Sequence, residues 1–265
     1  NIPLVLHGAS GVPRNIVNMA ERYGADLSGV RGVPRAQIRQ AIRNGINKIN
    51  TDTDLRIAFE AAVRKVIKTK PKDFDPKRQY PVFMYLYGGP GSQQVVDAWR
   101  GQNYWWFQML ADNGYVVACV DNRGTGGRGE EFKKMTYLKL GHYETIDQIE
   151  AAKYLAGLKY TDPSRVGIFG WSYGGYMSSL CLLKGNDVFK AAIAVAPVTN
   201  WKWYDTIYTE RYMRTEKENP DGYADNSPIN FVGNLKGNYL LVHGMGDDNV
   251  HFQNTVEMAN ALIGA

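Results

Sequence analysis

The fold is decided by residues 165–175, whose sequence is RVGIFGWSYGG. Residues 165–169 are short, apolar and β-branched, which predicts a buried strand, and the apolar run at 175–183 predicts a buried helix. Between them, Gly170, Ser172 and Gly174 form a G-x-S-x-G element, whose glycines permit the sharp strand-to-helix turn of a nucleophilic serine. The alternative is a glycine-rich turn with no chemical role, which fits the flanking strand and helix less well.

Acyl transfer also needs oxyanion donors and an acid that orients a base. The start of the predicted helix and the amide of Tyr173 point to where an oxyanion would form. Asp247 is the candidate acid, because it follows a predicted strand at 239–243, where the chain order Ser…Asp…His of a hydrolase sheet places it. Its neighbour Asp248 remains an alternative that the sequence barely separates from it.

The residues after 79 alternate between predicted strands and predicted helices. Strands are expected at 82–87, 115–120, 166–169, 191–196 and 239–243, with helices at 103–113, 144–157, 174–184 and 252–263. Strands rich in Val, Ile and Ala that alternate with helices indicate a doubly wound parallel sheet. Residues 79–265 are therefore expected to form an α/β domain.

The first part of the chain has a different organisation. A strand at 2–6, helices at 14–22 and 35–44, a strand at 46–49 and a helix at 54–67 give the order β-α-α-β-α. The segment 68–81 is charged, contains proline and lacks apolar periodicity, which indicates a connection on the surface. Two strands cannot close a parallel sheet, so residues 1–67 resemble a piece of a larger α/β protein.

Composition excludes several functional classes. The chain has 265 residues and a formal net charge of +5, with its charges scattered and without the basic, aromatic-interleaved runs typical of nucleic-acid binding. The 17 tyrosines and 6 tryptophans cluster at 104–107 and 201–212, which favours a pocket over a stacking platform for bases. Cys119 and Cys181 lie in apolar runs and give no disulfide framework. No stretch is apolar enough to span a membrane.

Residues 79–265 resemble the catalytic domain of the dipeptidyl peptidase IV type in the prolyl oligopeptidase family of serine peptidases. The matching motifs are YLYGGPGSQ at 85–93, DNRGTG at 121–126, GWSYGG at 170–175, WKWYD at 201–205, YTERYM at 208–213 and HGMGDDNVH at 243–251. The resemblance implies an α/β-hydrolase-type sheet and an enzyme that needs no cofactor. It also implies cleavage of N-terminal dipeptides after proline or alanine, through an acyl-enzyme intermediate.

The resemblance also assigns roles to individual residues. Ser172 would be the nucleophile, Asp247 the triad acid, and the Tyr87 hydroxyl and Tyr173 amide the oxyanion donors. Asn249 would bind a substrate carbonyl. An apolar S1 pocket would be lined by Tyr173, Val198, Trp201, Tyr204, Tyr208 and Val250. Without the resemblance, the aromatic run at 201–212 would more often be part of a core, whereas a flat aromatic pocket suits a proline ring.

The expected general base is the missing part of this assembly. The chain has His7, His142, His243 and His251, and the family's catalytic histidine lies in a later loop, beyond Ala265. His251 lies only four residues after Asp247, too close to be oriented by it and still reach Ser172. His243 ends a predicted strand and is expected to be structural. The sequence thus predicts a peptidase domain that lacks its base, and the loss of one triad member leaves little catalysis.

Residues 1–78 resemble the C-terminal part of a class II, zinc-dependent fructose-bisphosphate aldolase, a TIM-barrel family. The resemblance rests on LVLHGASGVP at 4–13, KINTDTDLR at 48–56 and the connection through 74–76. It implies that His7 corresponds to one zinc ligand. It also implies a substrate-phosphate region formed by Gly8, Ser10, Asn50, Asp52 and Thr53. Without the resemblance, His7 would more often be structural, because a zinc site needs three protein ligands.

Three hypotheses therefore compete. Residues 79–265 favour a serine peptidase with peptide substrates, whereas residues 1–78, a TIM-barrel-like βα fragment, favour a zinc aldolase. The third hypothesis is an inactive composite or fusion of the two, in which neither activity need exist. A homo-oligomer is compatible with the sequence. Compartment is left open, because the peptidase resemblance implies the periplasm or cell exterior and the aldolase resemblance implies the cytoplasm.

Overall fold

The computed structural model describes residues 4–6, 10–49, 53–69, 74–99 and 101–265. The described chain divides into two compact units. The first unit holds the positions up to 74 together with 98–114, and the second holds 75–97 and 115–265. The domain boundary that the sequence suggests, between residues 78 and 79, stays a prediction.

The first unit contains two short parallel strands and four helices. Its elements are β1 (Leu4–Leu6), α1 (Arg14–Arg22), α2 (Arg35–Arg43), β2 (Ile46–Ile49), α3 (Thr53–Thr69) and α4 (Gln102–Asp112). The predicted order β-α-α-β-α is confirmed, and β1 pairs with β2 in parallel. Val17, Ala20, Ile57 and Ala61 form a small core where α1 packs on α3.

The aromatic residues at 104–107 belong to this first unit. The guanidinium of Arg64 in α3 lies 4.6 Å from the ring centroid of Trp105 in α4. Trp99 packs against Tyr104, with ring centroids 4.7 Å apart. This run therefore packs within the first unit. Of the two aromatic runs, only residues 201–212 remain candidates for the pocket that the sequence predicts.

The second unit is built on a five-stranded sheet. Its strands are β3 (Tyr80–Leu86), β4 (Val116–Cys119), β5 (Thr161–Trp171), β6 (Ala191–Val195) and β7 (Asn238–Val242). Its helices are α5 (Glu130–Lys134), α6 (His142–Ala156), α7 (Tyr173–Lys184), α8 (Thr206–Met213), α9 (Pro220–Asp225) and α10 (Gln253–Gly264), with 3-10 turns at Trp201–Trp203 and Pro228–Asn234. All four strand pairings are parallel, which confirms the predicted sheet.

The order of the strands determines where a site can form. The sheet runs β4-β3-β5-β6-β7, so the chain first moves outward from β3 to β4 and then returns to β5 on the other side of β3. In open α/β sheets, ligands bind at the carboxyl ends of the strands where the direction of winding switches. Here that point lies between β3 and β5, and Tyr87 and Ser172 are the residues that follow these two strands.

A close-packed core supports this edge. In β3, buried and half-buried residues alternate, as expected for a strand with one face on the core. Every position of α7 from Tyr173 to Leu183 is buried, which matches its largely apolar sequence, and its two serines donate their hydroxyl protons to backbone carbonyls of the same helix. Burial raises the pKa of the Cys181 thiol in α7, which keeps it protonated and unreactive.

No helix in the described part of the chain is long and apolar enough to cross a membrane.

Candidate active site

Ser172 lies in the turn between β5 and α7 with a backbone conformation that is strained for a residue with a side chain. Its φ is 57° and its ψ is −117°, a combination that persists only when the surrounding structure imposes it. The Ser172 amide donates to the carbonyl of Val195 in β6 over 2.8 Å, and its carbonyl accepts from the amide of Tyr176 over 2.9 Å. These bonds hold the turn that the G-x-S-x-G element predicts.

The glycines of the motif sit where no side chain would fit. A Cβ on Gly170 would lie 2.3 Å from the carbonyl oxygen of Gly174, and one on Gly174 would lie 2.4 Å from that of Leu86 in β3. A Cβ on Gly175 would lie 2.6 Å from the carbonyl oxygen of Val195. Close approach of α7 to three strands therefore explains the spacing of the motif.

Tyr87 directly follows β3, and its hydroxyl lies beside the Ser172 side chain. Burial raises the pKa of Tyr87, and the interaction with Ser172 offsets the rise only in part. The phenol therefore stays protonated at neutral pH and is available as a hydrogen-bond donor. The Tyr173 amide begins α7, where the first N–H groups of a helix have no partner within the helix. Both predicted oxyanion donors thus lie at the switch point, one directly after β3 and the other at the start of α7.

The loop after Tyr87 is shaped by three residues that the sequence analysis did not single out. Gly88 has a φ of +76°, a conformation that favours glycine. The Asn122 Nδ2 donates to the Gly88 carbonyl over 3.0 Å, and the Gln148 Nε2 donates to the Asn122 Oδ1 over 2.9 Å. Asn122 lies in the DNRGTG motif. The motif could therefore have pointed to this residue, but its sequence does not indicate that Asn122 holds the loop after Tyr87.

The residues predicted to line an S1 pocket come together in one cluster, which includes Tyr173, the residue that follows Ser172. The Trp201 ring lies 5.8 Å from Tyr173 and 6.2 Å from Tyr208, centroid to centroid, and it is stacked on Tyr208. Val198 and Val250 are buried in the same cluster. Burial raises the pKa of Tyr208, so its hydroxyl also remains neutral. The run at 201–212 therefore forms an aromatic cluster with Tyr173, the residue after the candidate nucleophile, and Trp201 at its centre is 1% exposed.

Tyr204 and Asn249 connect this cluster to the loop after β7. The Tyr204 hydroxyl donates to the Asn249 Oδ1 over 3.0 Å. This bond leaves the Asn249 amide nitrogen available to donate to a ligand carbonyl, the role predicted for it. Burial raises the pKa of Tyr204, with the carboxylate of Asp205 as a second cause.

The two candidate acids have different surroundings. The Asp247 Oδ1 accepts hydrogen bonds from the amides of Asn249 and Val250, both over 3.0 Å. Asp248 is exposed and has no hydrogen bond or ion pair within the described residues. The side chain of Asp247 is thus held in one orientation, as a triad acid requires, which favours Asp247. The assignment itself stays a prediction.

The described histidines do not supply a base at Ser172. The His243 side chain is fully buried, and its Nδ1 and Nε2 each lie 2.7 Å from a partner, the Thr255 hydroxyl and the Val250 carbonyl. His251 is exposed, and its Nδ1 accepts from the amide of Gln253 over 3.2 Å. His142 packs edge-on against Tyr143. Within the described ranges, none of the three hydrogen-bonds Ser172, and His243 is structural, as the sequence predicts.

Glu144 is a buried acid that the sequence analysis missed. It lies in the first turn of α6, has 0% exposure, and its Oε1 accepts a hydrogen bond from the Tyr173 hydroxyl over 2.7 Å. Burial raises its pKa to about 7. The sequence offers no distinctive signal, because an acidic residue in the first turn is common in exposed helices.

Two cavities of the second unit lie away from Ser172. One of about 460 Å³ is lined by Val82, Val166, Ala191 and Asn238, at the amino ends of the strands and so at the wrong edge of the sheet for catalysis. A second, of about 480 Å³, is lined by Pro90, Lys133, Lys134, Thr136, Tyr137, Arg211 and Tyr212. Neither is lined by Ser172 or Trp201. A third, smaller cavity of about 170 Å³ is lined by Trp201 and Tyr204 but not by Ser172, so the candidate site is defined by its residues rather than by cavity size.

Two residues of the predicted phosphate region, Ser10 and Thr53, lie within the described part of the first unit. The Ser10 Oγ accepts from the amide of Thr53 over 3.1 Å, so these two predicted residues lie together. His7, Gly8, Asn50 and Asp52 lie outside the described residues. Within the described ranges, no group of three or more His, Cys, Asp or Glu side chains could hold a metal ion. The donor set for zinc is therefore not assembled by the described residues.

Comparison with known proteins matches two parts of the chain to two different families. The sequence model of the prolyl oligopeptidase family matches residues 101–265, and that of the class II fructose-bisphosphate aldolases matches residues 1–86. The probable dipeptidyl-aminopeptidase B of Botryotinia fuckeliana is 48% identical over 203 residues, which cover 75% of this chain and 22% of that protein. That of Penicillium rubens is 43% identical over 219 residues, covering 81% and 24%.

Solved structures give the same relationship. The crystal structure of Porphyromonas gingivalis dipeptidyl peptidase 4 matches with a TM-score of 0.70 and 54% identity, over 74% of this chain and 27% of that one. A putative dipeptidyl aminopeptidase IV from Bacteroides ovatus matches with a TM-score of 0.71 and 38% identity, over 74% and 28%. The chain thus spans about a quarter of the length of its relatives. Both resemblances and the α/β-hydrolase-type fold of the second unit are confirmed.

Proposed function

Because the chain belongs to the prolyl oligopeptidase family of serine peptidases, we propose that residues 79–265 carry the acylation site of a dipeptidyl peptidase. The site acts on peptides with a penultimate proline or alanine and releases the N-terminal dipeptide. The observation that supports this most directly is the strained Ser172 beside the Tyr87 hydroxyl and the aromatic cluster of Trp201. The names of the matched relatives support the same reaction class.

In this proposal the Ser172 Oγ attacks the carbonyl carbon of the penultimate residue. A base accepts the serine proton while the C–O bond forms and the carbonyl oxygen becomes an oxyanion. The Tyr87 hydroxyl and the Tyr173 amide donate hydrogen bonds to that oxyanion. The intermediate then expels the amine, which takes up the proton, and water later hydrolyses the acyl ester to regenerate Ser172.

The aromatic cluster supports the proposed preference for proline. The rings of Trp201, Tyr204 and Tyr208 pack within 5.3 to 6.2 Å of each other, centroid to centroid. A rigid five-membered ring loses little entropy against such a cluster, whereas a charged side chain would lose its hydration there. Asn249 orients the substrate through its free amide, since the Tyr204 hydroxyl already occupies its oxygen.

Labelling of the full chain by a fluorophosphonate, with and without added imidazole, tests this proposal. Free imidazole accepts the serine proton as a triad histidine would, and the described residues place no histidine at Ser172. We expect one adduct on the peptide that contains Ser172, formed faster with imidazole and absent in Ser172→Ala. With imidazole present, we also expect a Gly-Pro anilide to be cleaved roughly a hundredfold faster than a Gly-Glu anilide.

Ser164→Ala provides the matched control. Ser164 is an exposed serine in the same strand as the elbow, bonded to Asp162 in the same turn, so its loss should leave labelling unchanged. An adduct that persists in Ser172→Ala would contradict the proposal. The absence of any adduct on a chain whose α7 amides resist hydrogen exchange would contradict it as well.

A second candidate function follows from the match of residues 1–86 to the class II aldolases. In that proposal the region of Ser10 and Thr53 binds a substrate phosphate through backbone amides, and His7 is one zinc ligand. The described residues do not bring three metal ligands together, so no chemical step through zinc is derived. Zinc analysis of the purified chain tests this candidate: stoichiometric zinc that is lost in His7→Ala supports it, and a metal-free chain contradicts it.

A further inference from the structure

Glu144 is a buried acid for which the acylation chemistry has no use. It is fully buried, and its Oε1 accepts a hydrogen bond from the Tyr173 hydroxyl over 2.7 Å. Tyr173 is itself 3% exposed and directly follows Ser172. Replacing a buried polar pair by apolar residues of the same shape is often neutral or stabilising. Stability alone therefore does not explain why a carboxyl group occupies this position.

We infer that Glu144 is a positioning residue for the acylation site, which fixes the ring of Tyr173 through its hydroxyl. This inference rests on the proposed function, because that function assigns two roles to Tyr173. The ring forms a wall of the S1 pocket, and the backbone amide donates to the oxyanion. A change at Glu144 thus reaches both substrate binding and acylation without contact with the substrate.

Tyr173 is packed among three aromatic rings, and the hydrogen bond of its hydroxyl fixes the position of the ring among them. Its ring lies 5.2 Å from Tyr176, 5.8 Å from Trp201 and 6.1 Å from Tyr87, centroid to centroid. At one end the side chain is fixed by the start of α7, and at the other by the carboxyl group of α6. Without that acceptor, the buried hydroxyl would be unsatisfied, and the ring would have to move to find another partner.

Tyr176 offers a natural comparison within the same cluster. Its hydroxyl is also buried and donates to the backbone carbonyl of Leu140 over 2.9 Å. The two tyrosines lie on the same helix; Tyr176 is anchored just before α6, and Tyr173 is anchored to Glu144 in the first turn of α6. The difference is that a backbone carbonyl does not titrate, whereas the acceptor of Tyr173 does.

The titratable groups around Glu144 come from every element packed on it. They are Tyr173, Tyr176 and Cys181 of α7, Tyr208 of α8, Asp147 of α6, and Arg123 in the loop after β4. Burial raises the pKa of Glu144 to about 7, and hydrogen bonds from backbone amides and from Tyr173 lower it only in part. As the pH rises through this value, the carboxyl group becomes an acceptor only, and its bond from Tyr173 becomes charge-assisted. The ring is therefore held more firmly above pH 7 than below it.

Binding of an uncharged S1 ligand, N-acetyl-alanyl-pyrrolidine, to the full chain tests the inference. The ligand has no titratable group, so any change of its Kd with pH comes from the protein. We expect Glu144→Leu and Tyr173→Phe each to weaken binding by roughly tenfold, and the double variant to be no weaker than either alone. In the unaltered chain, we expect binding to be roughly threefold tighter at pH 8 than at pH 6. Glu144→Gln, which keeps an acceptor oxygen, should bind within roughly threefold of the unaltered chain, with no change between these pH values.

Tyr176→Phe is the control for a merely structural effect. It removes a buried hydroxyl from the same cluster and should leave the pH profile of binding intact. Equal binding by Glu144→Leu and the unaltered chain would overturn the inference, as would a pH profile that survives in Glu144→Gln. If Glu144→Leu does not fold, the Glu144→Gln profile decides the question.

An NMR measurement separates this inference from the proposed function. The ring resonances of Tyr173 in the ligand-free chain should shift near pH 7 and should not shift in Glu144→Gln. If they shift and the ligand does not bind, the proposed S1 pocket fails while the anchoring of Tyr173 stands. If they do not titrate, the inference fails whatever the ligand does.

Discussion

The helices that follow the two loops with candidate chemistry are held in different ways. Helix α7, after Ser172, is buried at every position from Tyr173 to Leu183. Helix α1, after the loop at residues 10–13, buries Val17 and Ala20 and exposes most of its remaining surface. Helix α7 is surrounded by protein, whereas α1 packs mainly on one neighbour, α3. Substitutions in the two loops should therefore have different costs.

The loops themselves differ in the same sense. The Ser172 turn is fixed by backbone atoms that leave no room for a Cβ at Gly170, Gly174 or Gly175. In the other loop, the Asp54 carboxylate in α3 accepts hydrogen bonds from the amides of Gly11 and Val12, over 3.1 and 2.7 Å. Steric exclusion is severe and specifies a residue type, whereas a hydrogen bond contributes about 1 kcal/mol and can be replaced. This contrast gives three predictions.

Gly174→Ala should have the largest effect. The added Cβ would lie 2.4 Å from the Leu86 carbonyl oxygen and 3.2 Å from the Tyr87 Cα, and β3 cannot move away without breaking its pairing with β5. We expect a loss of more than about 3 kcal/mol, enough to unfold the second unit in some conditions. Hydrogen exchange of the α7 amides measures the loss.

Gly157→Ala is the matched control for this change. The Cβ at that position would have its nearest neighbour at 3.5 Å, the Tyr154 carbonyl oxygen, which is ordinary contact. We expect a change within about 0.5 kcal/mol. Comparable losses in the two variants would mean that the elbow is not held by close backbone approach.

The turn at Ser172 was predictable from sequence because its geometry requires glycine at particular positions. Glycine spacing around Ser172 reports the close approach of a helix to strands, and the strand and helix on either side are visible as apolar runs. The loop of Asp54 was not predictable in the same way, since its carboxylate meets amides 42 and 43 positions away. Alone, that region resembles a helix N-terminus with several polar residues.

The anchor of Tyr173 marks a second limit of sequence reasoning. Glu144 and Tyr173 are 29 positions apart and on different helices, and nothing in either local pattern indicates the other. By contrast, the choice between Asp247 and Asp248 was left open because both share one turn, and it takes the structure to show that only the Asp247 carboxylate is partly buried and hydrogen-bonded. In the first case the sequence leaves out a pairing between two helices, and in the second it leaves out which of two adjacent carboxylates bonds to the amides of its own turn.

Glu144→Gln should have the next largest effect, visible as a change in the pH dependence of stability. The folded state raises the pKa of Glu144 from its usual 4.5 to about 7, so it binds the proton more tightly than the unfolded chain does. Stability therefore falls as the pH rises from about 4.5 to about 7, by an amount on the order of 3 kcal/mol. The variant should lack this decline, which hydrogen exchange of α7 at several pH values would show.

Glu150→Gln controls for the loss of an acid from the same helix. The Glu150 side chain is 63% exposed and pairs with Lys153, so its removal should leave the decline unchanged. An unaltered decline in Glu144→Gln would mean that another group carries it. If the decline disappears as expected, Glu144 lowers the stability of the folded chain at neutral pH while it holds Tyr173, the residue after the nucleophile.

Asp54→Ala should have the smallest effect of the three, because it removes hydrogen bonds and creates no steric conflict. The amides of Gly11 and Val12 lose their acceptor, and we expect a loss of about 1 to 2 kcal/mol in the first unit, measured by hydrogen exchange of α1 and α3. Asp54→Asn, which keeps one acceptor oxygen, should lose less. Asp26→Ala is the control, since its carboxylate bonds only within an exposed turn to Ser28, and equal losses in it and Asp54→Ala would remove the distinction between the two loops.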